Sequence, residues 1–197
     1  IQIADSIHQH FICSQSIYFM TWGRENGDPQ WDSINTFNKM NLRLRNAYLR
    51  FADSSNSSVS PVGIAWKYVR DNHPTIDLYT NDGSHPSLEG SYLAACTHFS
   101  SMYHSSPVGA TYTAGIDSST AIILQQAAAI AVIDSLSTWK LTHHDSLTQV
   151  DFNSNLIQSN EIQFIQTTQN VDSVTWHFGD GSSSQASNPI HIYTQND

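Results

Sequence analysis

Basic residues are scarce in this chain and confined to one part of it. Of 197 residues, 8 are Lys or Arg against 17 Asp or Glu, a formal net charge of −9 with histidine neutral. Lys140 is the last of the basic residues, whereas residues 141–197 still carry Asp145, Asp151, Glu161, Asp172, Asp180 and Asp197. Nucleic acids and anionic lipid surfaces are gripped by clustered Lys and Arg, so neither is expected as a partner. Charged residues of either sign make up 13% of the chain, well under the roughly 25% of ordinary soluble domains. Long apolar runs are missing too. The longest, residues 127–133, falls far short of the roughly 18 that a membrane span needs, and no span is expected. The cysteines are Cys13 and Cys96, neither in a C-x-x-C pair. A disulfide scaffold is therefore excluded, and two small buried thiols are the expectation. The chain opens at Ile1 with no basic segment leading into an apolar one, so no signal peptide is visible and a mature, cut or partial chain is expected.

What is present is enough apolar material for a core: 39% hydrophobic residues, with five Trp, eight Tyr and eight Phe. Its texture changes near residues 141–149. Before that stretch, strand-like and helix-like periods alternate. Residues 17–22 (IYFMTW) form an apolar run bounded by Gly23, which predicts a buried parallel strand. Asp28 and Pro29 suit an N-cap and a first helical position. Trp31, Ile34, Phe37, Met40, Leu44, Tyr48 and Phe51 then recur at spacings of three and four, predicting an amphipathic helix of about six turns. A polar loop over 54–58, a strand over 59–66 and a short helix over 66–72 follow. Leu88, Tyr92, Cys96, Phe99 and Tyr103 mark another helix, and residues 121–139 a third, Ala-rich and buried. This alternation predicts an α/β fold with a parallel sheet covered by helices. After residue 150, the segments 161–165 and 174–178 alternate with period two, Gly179-Asp180-Gly181 signals a turn, and 190–193 reads as a third strand. The expected division is 1–141, a linker over 142–149, and a small antiparallel β module over 150–197.

The most informative stretch is residues 82–87 (DGSHPS). Asp82 and His85, three apart on a loop entering a helix, are placed to meet side chain to side chain. A carboxylate bonded to one imidazole nitrogen fixes the tautomer and leaves the other nitrogen free to take a proton from a hydroxyl. The bare spacing is common and is also that of a surface turn with a helix cap. Ser84 sits between the pair on the same tight loop, and Ser87 and Ser91 read as a helix cap and a helix residue. Arg24 follows the end of a predicted strand, where open parallel sheets bind ligands. It reads as a substrate-contacting cation or as a structural partner of Asp28. Trp22 precedes it, and Trp66 follows the next predicted strand. Both read as candidates to line the same cleft, Trp66 equally as a core or rim aromatic. His8 and His10, and the pair His143 and His144, have spacings a metal could use but lack the Cys or carboxylate company of a zinc site, so solvated loop residues are expected. His73 reads as a turn residue, and His98 as lying on the exposed or intermediate face of its helix.

Residues 77–96 (DLYTNDGSHPSLEGSYLAAC) resemble the last signature block of the SGNH (GDSL-type) hydrolases, and residues 19–28 (FMTWGRENGD) and 61–66 (PVGIAW) resemble one bacterial branch of that family. The resemblance covers roughly residues 10–140. It implies a three-layer, flavodoxin-like α/β fold around a parallel sheet, with Asp82 orienting His85 and His85 acting as general base. The family's serine lies in a G-[DN]-S motif at the end of the first strand, and no such motif occurs near the start of this chain. The resemblance therefore implies the C-terminal part of the domain, with the nucleophile and the oxyanion-hole residues on a companion segment or chain. Residues 174–182 (VTWHFGDGS) and 188–193 (NPIHIY) resemble a PKD-type domain, an Ig-like β-sandwich common in secreted bacterial enzymes and surface proteins. That resemblance implies Trp176 and Phe178 in the core, Tyr193 packed near Trp176, and a further strand beyond residue 197. Taken together, the resemblances imply a secreted or cell-surface serine esterase or acylhydrolase acting on an acylated carbohydrate or similar ester, without metal or organic cofactor. The competing reading is an inactive scaffold whose PKD-like module serves a structural or binding role outside the cell.

Overall fold

A computed structural model of the chain describes residues 14–141, 151–168 and 173–194, together with Ile3 and Ser6. Cys13, His8, His10, His143, His144 and the expected linker over 142–149 lie outside the described residues. The chain is mixed α/β and divides into two compact units, Ile1–Thr142 and His143–Asp197. Among the described residues no helix is long and apolar enough to cross a membrane.

In the first unit, β1 (Ile17–Phe19) pairs in parallel with β2 (Ser58–Ser60), Tyr18 opposite Val59. Among the described residues four α-helices with stated bounds accompany them: α1 (Phe37–Ser54), α2 (Val62–Asn72), α3 (Leu88–Tyr103) and α4 (Ser118–Val132). The other edge of β2 is met by the backbone after α4, with Val59 N donating to Trp139 O (2.9 Å) and Ser58 Oγ to Lys140 O (2.6 Å). Ser58 and Ser60 are fully buried, and these bonds together with the Ser60–Ser101 hydroxyl pair (3.0 Å) satisfy them.

Several boundaries differ from the sequence expectation, each for a local reason. The first helix does not begin at Asp28. Asp28 Oδ1 accepts from Gln30 N (3.0 Å), and Asp28 N bonds to Ile34 O (2.8 Å), closing a compact loop. Thr36 is the N-cap instead, its hydroxyl accepting from Lys39 N (3.3 Å). Trp31 is consequently 63% exposed and outside the helix. Both expected strands are short: the first stops at Phe19, and the second stops before Pro61, beyond which α2 begins. The helix expected over 121–139 ends at Val132, continues as a 3-10 turn over Ile133–Ser135, and folds back so that Trp139 Nε1 donates to Ala131 O (2.8 Å).

Trp66 organises the core. It is fully buried, stacks on Trp22 with centroids 3.9 Å apart, and meets Tyr79 edge-on at 5.4 Å. Helix α3 approaches it through Gly90, where a Cβ would lie 2.3 Å from Leu78 O and 2.4 Å from Trp66 Cη2. The α3 face turned inward is made of small and polar residues as well as large ones: Gly90, Tyr92, Leu93, Cys96, Thr97, Ser100 and Ser101. Cys96 is a free, buried thiol whose pKa burial pushes up.

The second unit contains two antiparallel sheets. One has the order β3 (Phe152–Gln158), β4 (Glu161–Gln166), β7 (Ile190–Ile192); the other pairs β5 (Trp176–His177) with β6 (Ser183–Ser184). Trp176 packs against Phe152 and Phe164, and Phe164 against Phe178, each at 5.4 Å. Tyr193 stands edge-on to His191 at 4.6 Å, and its hydroxyl donates to Phe178 O (3.1 Å). Gly179 and Gly181 both take positive φ in the turn, and Asp180 between them bonds Ser182 N (2.9 Å) and His191 Nε2 (2.7 Å).

Two outcomes follow. Gly90→Ala should lower stability by about 1–3 kcal/mol or more, since backbone and a buried indole must both shift; urea unfolding measures it. Hydrogen bonds from the Ser182 side chain and backbone, then from His191, hold the Asp180 carboxyl down at about 2. A depressed carboxyl adds stability that is present above its unfolded value and lost as pH falls toward 2. Asp180→Asn should remove that part of the acid transition, followed by the Trp176 indole N–H resonance between about pH 4 and pH 2.

Candidate functional site

The loop between residues 77 and 88 is built by its own short-range bonds. Asp77 Oδ1 accepts from Tyr79 N (3.0 Å), Thr80 N donates to His85 O (2.9 Å), and Ser87 N to Leu78 O (2.9 Å). Tyr79 and Pro86 form an isolated antiparallel bridge. Ser87 then caps α3, accepting from Gly90 N (3.0 Å) and donating to Asp77 O (2.8 Å). Its hydroxyl is thus committed to backbone. So is that of Ser91, which donates to Ser87 O (2.8 Å).

This loop brings Asp82 and His85 together. Asp82 Oδ2 is hydrogen-bonded to His85 Nδ1. Asp82 Oδ1 accepts from Thr80 Oγ1, Ser84 N and His85 N, each at 2.9 Å. The carboxylate is therefore saturated with donors. The His85 ring, followed by the His85 and Ser84 amides, holds the Asp82 carboxyl well below the usual carboxylate range. The imidazole is 78% exposed at the side chain, so with Nδ1 engaged the Nε2 edge faces solvent. The pair is an ionised carboxylate bonded to one imidazole nitrogen, with the other nitrogen turned to solvent. Such a pair takes a proton from a hydroxyl and returns it to a leaving group.

The remaining candidates lie on the segment after β1. Trp22 is half-buried, and its Nε1 donates to Ser84 O (3.1 Å). Arg24 pairs with Asp28 (3.4 Å) with its own side chain 56% exposed, so most of its guanidinium is open to solvent. Trp66 is in the core at 0% exposure, stacked under Trp22 and edge-on to Tyr79 at the buried base of the loop. Trp22 is thus brought to the Asp82–His85 turn through Ser84 O, whereas Arg24 is paired with Asp28 and Trp66 lies beneath Trp22.

Four residues at the site escaped sequence reasoning. Thr80 supports the Asp82 carboxylate, and its T-x-D spacing is a local signal of side-chain bonding in turns. Glu25 N donates to Gly83 O (2.8 Å), tying the two segments together. Tyr79 hydroxyl donates to Gly23 O (2.6 Å), and burial raises its phenol pKa against the lowering influence of Arg70. Asn41, 2% exposed, accepts from Gly23 N (3.3 Å) and donates to Gly63 O (2.9 Å). These three carry no sequence pattern that marks them.

A cleft of about 340 Å³ lies alongside, lined by Glu25, Arg70, Asp77 and Tyr79 among others, but its walls include none of residues 80–87. Arg70 lies over the Phe37 ring at 4.3 Å and the Tyr79 ring at 5.3 Å. His98 is half-buried, edge-on to Phe19 at 4.5 Å, and burial lowers its pKa. His73 is the C-cap of α2. Among the described residues no group of three or more His, Cys, Asp or Glu could hold a metal ion.

His85→Ala should raise the Asp82 carboxyl toward its ordinary value, because the largest cause of its depression is gone; a carbon-13 NMR titration of the Asp82 carboxyl measures the shift. Compared with family models, with curated proteins and with solved structures, the chain matches none of them.

Proposed function

We propose that this chain carries the proton-transfer half of a serine esterase or acylhydrolase centre. The observation that carries the reading is the exposed His85 imidazole, its Nδ1 bonded to an Asp82 carboxylate that three further donors hold in place. The resemblance of residues 77–96 to the SGNH block supports the same assignment, as does a parallel strand pair among helices in the first unit. On this reading the first unit is the later part of a three-layer SGNH-like domain. The second unit, with its antiparallel sheets and W-x-F-G-D-G turn, is a PKD-like module. Both point to an ester substrate, such as an acylated carbohydrate, met outside the cell.

The chemistry divides between this chain and a companion segment that supplies the serine and the oxyanion donors. Ser87 and Ser91 have hydroxyls committed to backbone, and Ser84 lies within the turn itself. The serine oxygen attacks the ester carbonyl carbon while His85 Nε2 takes the hydroxyl proton. Asp82 stabilises the imidazolium through Nδ1. Collapse of the tetrahedral adduct breaks the bond to the alcohol oxygen, and the imidazolium returns its proton to that oxygen. Water then attacks the acyl-enzyme with His85 again as base, releasing the acid and restoring the serine. An imidazole open to solvent is poorly placed for this alone, since acyl transfer needs fixed donors and excluded water at the reacting carbonyl. Closing the Nε2 edge is the companion segment's contribution.

The test is turnover of acetylated sugar and aryl ester substrates by the natively purified protein, with fluorophosphonate labelling to locate the serine. Asp82→Asn and His85→Ala should each lower kcat by several orders of magnitude, on the order of 10⁴ for the loss of the carboxylate. Labelling and turnover at the original rate in His85→Ala would sink the assignment.

A further inference from the structure

The peptide unit joining Ser84 to His85 is held at both of its polar ends. Its N–H donates to Asp82 Oδ1 (2.9 Å), and its carbonyl accepts from Trp22 Nε1 (3.1 Å). A peptide unit is planar, so pinning its oxygen and its hydrogen fixes the orientation of the whole plane. That plane contains the His85 Cα and so fixes where the side chain is attached. It also aims the amide that orients the Asp82 carboxylate. The preceding carbonyl, Gly83 O, is held from the same side by Glu25 N (2.8 Å). Trp22 is the one side chain from outside residues 77–88 described as hydrogen-bonded to this pair of carbonyls.

The Trp22 ring has little freedom to follow the loop. It stacks on Trp66 at 3.9 Å with an interplanar angle of 4°, and Trp66 is fully buried. Trp66 is in turn closed in by Gly90 and Leu78 of the α3 approach, and by Tyr79 edge-on. The indole N–H therefore transmits the position of the core to residues 80–85, which are exposed or half-buried. A substrate-lining aromatic would present its face or its donor to the cleft. Here one face is covered by Trp66 and the donor is already used.

We propose that Trp22 is a positioning residue for the Asp82–His85 pair, holding the 84–85 peptide plane through its indole N–H, rather than a residue that contacts substrate. This rests on the assignment of Asp82 and His85 to proton transfer.

Trp22→Phe keeps an aromatic face on Trp66 and removes the donor. Amide hydrogen exchange at Ser84 and His85, the two amides that Asp82 accepts from, should quicken roughly three- to tenfold for the loss of one such bond. The Asp82 carboxyl should titrate higher, while exchange in the buried turns of α4 stays unchanged. If Trp22→Phe does not fold, replacing Trp22 by β-(3-benzothienyl)alanine keeps both rings and substitutes sulfur for N–H, with the same expected readings. Unchanged exchange at Ser84 and His85 and an unchanged Asp82 titration in a folded variant would overturn the proposal. In the active protein, Trp22→Phe should lower kcat several-fold with KM held, whereas a raised KM at constant kcat marks a substrate contact and overturns it. Failure of the underlying assignment is separately visible: His85→Ala would then turn over normally, whatever Trp22→Phe does to the exchange rates.

Discussion

The burial of Trp66 is the constraint from which the arrangement of the first unit follows. An indole with no exposed surface requires its neighbours to be shaped to it, and removing such a ring costs about 3–5 kcal/mol. The shaping is visible on each side. Gly90 leaves room where any side chain would collide, which lets α3 lie against α2. Tyr79 closes one edge and carries its hydroxyl to Gly23 O, so the strand-end segment is anchored by the same cluster. Asn41 holds the Gly23 amide from the opposite direction and ties it to Gly63. The segment after β1 and the loop before α3 thus meet over a packed aromatic base, although neither is itself regular structure.

On that base sits an electrostatic arrangement whose purpose is orientation more than stability. The Asp82–His85 contact is exposed, and exposed ion pairs contribute little to stability. Four donors on one carboxylate nevertheless leave it a single orientation. Only one oxygen is left to face the imidazole, because Oδ1 is occupied by Thr80, Ser84 and His85. The depressed Asp82 pKa is a consequence of this crowding of donors. It keeps the acceptor ionised throughout the range in which an imidazole exchanges protons. Asp180 in the second unit shows the same device with a different result. Its partner His191 is only 15% exposed and stacked on Phe178, so the pair joins a turn to a strand and offers no free ring edge.

What was legible in the sequence was local. Asp82, Ser84, His85 and Ser87 lie within six residues, and their contacts need only the turn that the intervening glycine permits. Helix α3 was readable for the same reason, its bounds given by a Ser cap and continuous periodicity. Its buried face was not. Leu88, Phe99 and Tyr103 marked the period but are exposed, while Gly90, Thr97, Ser100 and Ser101 face inward because close helix approach favours small side chains over large ones. On helix α1 the expected stripe contains Phe37, Leu44 and Tyr48, which face inward, but Asn41 and Ala52 complete that face in place of Met40 and Phe51, because a polar and a small residue there break the apolar pattern. Asp28 and Pro29 satisfy the preferences of a helix start, yet the Asp28 side chain bonds the loop backbone instead, a competition that propensity alone does not resolve.

The role of Trp22 lay beyond sequence for a more general reason. A tryptophan after a strand suggests a surface that ligands reach, and the same position serves equally well to brace a neighbouring loop. Which applies depends on where the N–H points and what covers the ring, and both are set by residues 44 and 62 positions away, Trp66 and Ser84. The distinction matters for the chemistry. A short motif such as D-x-x-H encodes a contact, whereas general-base catalysis also requires that the free nitrogen keep its direction as protons move. Tyr79 to Gly23 O and Glu25 N to Gly83 O tie the loop to the segment after β1. The indole donor, seated on a fully buried ring, adds the tie at the 84–85 peptide itself, and so the direction of His85 is tied to the packing of a core that its own motif does not include.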